Sequence, residues 1–214
     1  MSSSQSTAYY ATESRGKCMA LALKPKVTYT PEEYLALEEL ADQKSEYYQG
    51  EIFAMAGGST NHNRIAVSLC ASLDTLLEDS HCEVFSSDVK LFVVAHDLYT
   101  YPDAMVVCGG PHYVEERDDT LINPTVIVEV LSKTTRGYDS NQKFAFYRSI
   151  QTFQDYVLID QERVHVDCYH KEANGRWVLT EYNALENQLL IESLQVEIPL
   201  RRLYRRVDWL SPAG

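Results

Sequence analysis

Apolar residues recur at helical spacing in two stretches of the chain. In NHNRIAVSLCASLDTLLEDS, Ile65, Leu69, Leu73 and Leu76 fall on one side of a helix, which predicts an amphipathic element packing that side inward. In YDSNQKFAFYRSI, Phe144, Tyr147 and Ile150 do the same. A third helix opens at TPEEYLALEEL, with Thr30 as N-cap, Pro31 at the first helical position and Glu33 completing a capping box. The remaining pattern is that of strands. SEYYQGEIFAMAGG reads as two short strands turning around Gly50. EVFSSDVKLFVV, PDAMVV and TVIVEVL follow as three more, then DYVLID, RVHVDCYH and RWVLTEYN. The last two are joined by KEANG, whose Asn174-Gly175 is a hairpin signal. Helices flanking a run of strands, with later hairpins, predict a mixed α/β fold built on one central sheet.

Residues 1–25 are rich in Ser and Thr and lack either period, so they read as a disordered extension before a single domain over 26–214.

One residue breaks the pattern. In PTVIVEVLS, Glu129 stands in a strand that is apolar on both faces. An ionised carboxylate loses several kcal/mol of solvation in such a place unless a cation or dense hydrogen bonding replaces the water. Asp103, in YPDAMVV, starts another strand 26 residues earlier. Consecutive strands are usually neighbours, which would bring the two carboxylates together. Oxygen ligands held close repel each other and suit Mg²⁺ or Mn²⁺; two surface carboxylates at strand ends are the plainer alternative. Asp139, Lys143 and Tyr147 share one face of the following helix. That helix folds back across the sheet, where Lys143 would stabilise charge developing on a phosphoryl group or orient a water, a solvated lysine being the plainer alternative.

Composition narrows the partners. The net charge is −12, whereas a nucleic-acid binder usually carries a basic face. LRRLYRRVDW, with Arg201, Arg202, Arg205 and Arg206 against one aspartate, is net +3 and leaves −15 for the rest. It reads as a solvated face or as a phosphate-contacting arm. No apolar stretch approaches the roughly 20 residues that span a bilayer, and the five scattered cysteines suit a reducing cytosol.

The order of these stretches resembles a known family. PD at 102–103 followed by Glu129 is similar to the PD-(D/E)XK nuclease superfamily. SEYYQGEIFAMAGGSTNH, YPDAMVV, VIVEVLSKTTRGYDSNQKFAFYRS and FQDYVLID together resemble the Uma family of restriction-endonuclease-like proteins over about residues 28–195. The resemblance implies a restriction-endonuclease-like core and a Mg²⁺- or Mn²⁺-dependent endonuclease acting on DNA in the cytoplasm, with a homodimer by analogy. Asp103 and Glu129 would be metal ligands. The superfamily's E-x-K places lysine at 131, where this chain has Leu131; in the Uma type the lysine has moved to the next helix, which Lys143 matches, and Lys133 competes. Glu46 aligns with an acidic residue that would complete the metal shell. His62 matches a histidine at the start of the second helix, for a catalytic or phosphate-contacting role or a local hydrogen bond. Glu51 and Tyr147 are read as supporting residues. A non-catalytic nuclease-like module that binds nucleic acid or protein is the rival reading.

Overall fold

The computed structural model describes residues 27–55, 57–132 and 136–210. The N-terminal extension and Lys133 lie outside them. Helix α1, Pro31–Glu38, starts as its sequence predicts: Thr30 Oγ1 accepts from the Glu33 amide at 3.2 Å, and the Glu33 carboxylate accepts from the Thr30 amide at 2.9 Å. Strands β1 (Ser45–Tyr48) and β2 (Glu51–Ala54) pair across a turn in which Gln49 and Gly50 both have positive φ, the twist a two-residue hairpin requires.

Helix α2 covers Thr60–Leu76. Ile65, Leu69 and Leu73 are buried as the pattern predicts, but Leu76 is 46 % exposed and Leu77 is buried in its place. Leu76 ends the helix and Leu77 is its C-cap, with φ −105° and ψ 4°, so the chain leaves the helical path there and the ideal stripe no longer decides which leucine is covered. Replacing Leu69 with Ala is therefore expected to cost about 2–5 kcal/mol. Leu76→Ala should stay within about 0.5 kcal/mol. Urea melts of the two variants check this, and equal losses would contradict the observed packing.

EVFSSDVKLFVV is not one strand. It turns at Ser86–Val89, where the Val89 amide donates to the Ser86 carbonyl. Its halves, β3 (Cys82–Ser86) and β4 (Lys90–Val93), enter different sheets. The fold is the expected mixed α/β one, but among the described residues its strands fall in three sheets and not in one. Strands β5 (Leu98–Thr100) and β7 (Thr120–Leu121) join the first hairpin in a five-stranded sheet ordered β2-β1-β5-β4-β7. Strands β6 (Ala104–Cys108), β8 (Val126–Leu131), β9 (Asp155–Asp160), β10 (Val166–Lys171) and β11 (Trp177–Tyr182) join β3 in a six-stranded sheet ordered β11-β10-β9-β8-β6-β3. A separate hairpin holds β12 (Gln188–Ile191) and β13 (Val196–Pro199). Beta-strands β8 and β9 are parallel, and the connection between them carries the second predicted helix. Its first turns, Tyr138–Lys143, wind as a π-helix before the short helix α3, Phe144–Tyr147.

The six-stranded sheet separates two cores. Val126, Val128 and Val130 face the cluster under α2, whereas Ile127 and Leu131 face the cluster built with Phe146, Tyr147 and Ile150. Glu129 shares the parity of Ile127 and Leu131, so it points beneath the π-helix.

Cys82 and Cys108, directly paired on β3 and β6, form a disulfide; Cys70 and Cys168 are free. This corrects the reading of the cysteines as reduced, because residues 26 apart in sequence become partners only once the strands pair. Among the described residues no helix is long and apolar enough to cross a membrane.

Candidate active site

The site lies at the seam of the two large sheets. Beta-strand alternation in β1 sends Tyr47 into a cluster with Tyr34 and Tyr99, and Glu46 and Tyr48 to the opposite side. There Tyr48 stacks on Phe146, and Glu46 Oε1 accepts from Thr100 Oγ1 at 2.5 Å. Beyond Thr100 the chain crosses from the five-stranded to the six-stranded sheet, and Asp103 sits in that crossing just before β6. Since β6 pairs antiparallel with β8, Ala104 opposite Val128, Asp103 arrives beside Glu129. Its Oδ2 accepts from the Val130 amide at 2.7 Å. The neighbouring strands expected from the sequence are therefore found.

Glu129 is buried, and its Oε1 receives two donors: Tyr147 Oη at 2.9 Å and Lys143 Nζ at 3.3 Å. Lys143 is equally buried and stands among three carboxylates, 2.9 Å from Glu46, 3.3 Å from Glu129 and 3.4 Å from Asp139. The shared face of Asp139, Lys143 and Tyr147 survives the π winding, since all three are buried together. Its ammonium also lies 5.4 Å from the Tyr138 ring.

The electrostatics follow from this crowding. Burial, with the charges of Asp139, Asp103 and Glu46, holds the pKa of Glu129 well above the carboxylate range, and Lys143 only partly opposes the shift. For Lys143, burial works against the charged form, but Glu129, Glu46 and Asp139 outweigh it and raise the pKa. Tyr147 is pushed up by burial first and by Glu129 next, so it remains a donor.

His62 enters from α2. Ser59 caps that helix by accepting from the His62 amide, and the ring Nε2 lies 3.1 Å from Asp103 Oδ2. A Cβ on Gly58 would stand 2.8 Å from the His62 Nδ1, so that glycine leaves the ring its place. Burial disfavours the charged ring, but the hydrogen bond and charge of Asp103 prevail, and the pKa is raised.

His62, Asp103, Asp139 and Lys143 line a groove of about 1080 Å³. Lys44 and Tyr101 line one side, and Gln161, Asp208 and Trp209 another. Asn61 Nδ2 donates to Asp208 Oδ1 at 2.7 Å, and Trp209 Nε1 to the Gln161 carbonyl at 2.7 Å, tying the C-terminal segment into the wall. The sequence did not single out that wall; it placed Asp139 on the face of Lys143 but gave it no role. The arginines of the tail are all exposed, and Leu200, Leu203, Tyr204 and Val207 bury the other side of the segment; Arg201 pairs with Glu186 at 3.0 Å.

Asp103, His62 and Lys143 thus line one groove, and Glu46 and Glu129 are joined to them through Lys143. The family model described as "Putative restriction endonuclease" (Uma2) matches residues 31–201. The chain belongs to the Uma2 family. Two uncharacterized proteins of Synechocystis are related over most of their length. One, sll1609, is 40% identical over 174 residues, 81% of this chain and 94% of the relative. The other, slr1290, is 37% identical over 183 residues, 85% of this chain and 93% of the relative. A solved structure from Anabaena variabilis, titled "a putative nuclease belonging to DUF820", superposes with a TM-score of 0.67 and 18% identity, covering 81% of this chain and 96% of that one. At that identity the Uma2 chain shares its fold.

The donor set suits a hard cation, because Mg²⁺ is commonly bound through one or two carboxylates with water filling the rest of its shell. Asp103 and Glu129, brought side by side by β6 and β8, are the residues that would hold such an ion.

Proposed function

We propose that the chain is a Mg²⁺- or Mn²⁺-dependent endonuclease that hydrolyses DNA phosphodiester bonds. The observation that carries the reading is the buried Glu129 beside Asp103, with Lys143 and Tyr147 both donating to its Oε1. Four acids and one lysine make a costly arrangement for a fold alone, since burying charges costs more than their attraction returns unless geometry is excellent.

Asp103 and Glu129 would hold the ion, and Glu46 would assist. The ion supplies a Lewis acid that neutralises phosphate charge and activates water. The chain's own residues do the rest. Tyr147 and the Val130 amide fix the two carboxylates by hydrogen bonds to one oxygen of each. Lys143, held among Glu46, Glu129 and Asp139, would present its ammonium to charge developing on the phosphoryl oxygens. His62 bears on Asp103 and orients it. The groove takes the strand, and the exposed arginines of the tail supply phosphate contacts away from the acidic floor.

Purified protein is expected to nick supercoiled plasmid when Mg²⁺ or Mn²⁺ is added, and Asp103→Asn and Glu129→Gln should each abolish nicking. DNA retention without any nicking under either ion would replace this reading by that of a non-catalytic binding module.

A further inference from the structure

A second cluster of ligating side chains lies two strands away from Glu129, roughly 10 Å along the six-stranded sheet. Asp167 on β10 stands directly opposite Glu181 on β11. His165, two residues before Asp167, lies on the same side of the extended chain. The donor atoms of His165, Asp167 and Glu181 all fall within 4.8 Å of one another, and among the described residues they form the one such group of three.

Two observations distinguish this cluster from an ordinary surface ion pair. First, Asp167 Oδ1 is 3.0 Å from His165 Nε2, yet this buried oxygen accepts no hydrogen bond. At that distance only an approach well off the ring's N–H axis fails to make one. Two donors each about 2.0–2.2 Å from a zinc ion are about 3 Å apart when they meet it near a right angle, with the ring lone pair aimed at the ion and not at the oxygen. Second, the other ring nitrogen is already engaged: His165 Nδ1 lies 2.7 Å from Asn183 Oδ1, an acceptor that draws the proton to Nδ1. Metal-bound histidines are held in the same way by a partner on the far nitrogen. Asp167 also faces a second carboxylate across the strands, where like charges destabilise a pair. A cation relieves that repulsion.

We infer that His165, Asp167 and Glu181 form a second metal site, which takes a zinc-class dication through one imidazole nitrogen and two carboxylate oxygens. Imidazole selects against Mg²⁺, so the site differs in metal preference from the all-carboxylate pair at Asp103 and Glu129. Its position across β10 and β11 makes it a clamp on the edge of the sheet. The inference is independent of the nuclease reading.

The test uses full-length protein carrying Asp103→Asn, stripped by chelator, so that the first site does not contribute. Titration with Zn²⁺ alone is expected to show one bound equivalent, and Mg²⁺ at the same concentration should not compete. His165→Gln and Asp167→Asn should each weaken zinc at least tenfold, with melting by circular dichroism confirming that they fold. In parent protein, ¹⁵N spectra should show the His165 Nε2 resonance moving on zinc addition at constant pH. Zinc affinity unchanged in both variants, or a His165 signal that responds to pH but not to zinc, would overturn the assignment and leave a histidine–aspartate ion pair.

Discussion

Lys143→Ala is expected to lower stability by about 3–5 kcal/mol, the usual cost of removing one partner from a buried ionic group. The lysine is the cation common to Glu46, Glu129 and Asp139, so its loss leaves three acids facing one another with little solvent. The loss should depend on pH, and the sign is fixed. Glu129 already has a raised pKa because it is buried, and Lys143 opposes the shift. Without the lysine, the folded-state pKa rises further. A carboxyl with a raised folded pKa contributes stability that is full below its unfolded value, about 4.3, and lost as pH climbs through the folded value. The penalty should therefore be smallest near pH 4.5 and grow towards neutrality. Urea melts of parent and variant at several pH values measure it. Combining Lys143→Ala with Glu129→Gln should recover part of the loss, because the two side chains touch and their effects do not add. A penalty below about 1 kcal/mol that ignores pH would show that Lys143 is not the counter-charge of this cluster.

Added Mg²⁺ or Mn²⁺ should raise the melting temperature of the parent. If only the native state binds, the gain is RT ln(1 + [L]/Kd), about 2.7 kcal/mol at a hundredfold excess over Kd. The gain should increase with pH, since the ion needs Glu129 ionised and burial keeps it protonated to higher pH than an ordinary glutamate. Asp103→Asn should remove the gain. Its own metal-free cost should be small, because asparagine retains an oxygen for the Val130 amide. Glu129→Gln should also remove it, and at neutral pH the metal-free variant should equal or exceed the parent, having shed a charge that is expensive to bury. Melting scans with and without ion, across pH, test all three proteins. A parent indifferent to millimolar metal would remove the basis for a metal-dependent enzyme.

Much of the candidate site was legible because its residues violate the patterns around them. A glutamate among valines and leucines carries its own signal, as does an aspartate after a proline at a strand entry. Lys143 could be tied to Glu129 because a helix after a strand folds back over it, and Tyr147 shares that face. Glu46 and His62 were named through the family resemblance, and the fold sets His62 on the groove beside Asp103 and Glu46 against Lys143. What periodicity could not supply was which partner each group meets. That Glu46 faces Lys143 depends on β1 lying in a different sheet from Glu129, and the two sheets became visible only when EVFSSDVKLFVV broke at its Ser-Ser-Asp turn.

The sequence by itself determined the local elements: the capped start of α1, the inward stripe of α2, the Gln49-Gly50 and Asn174-Gly175 turns, and a buried strand with one charge in it. Each of these is set by residues within a few positions of one another, where capping, periodicity and turn chemistry act. The tertiary structure alone decided the rest. Strand pairing joined Cys82 to Cys108 and set Asp167 against Glu181; docking of the C-terminal segment placed Trp209 and Asp208 on the groove wall. Those contacts link residues far apart in the chain, and no local period encodes them. Their energies come from closing a particular sheet around a particular core.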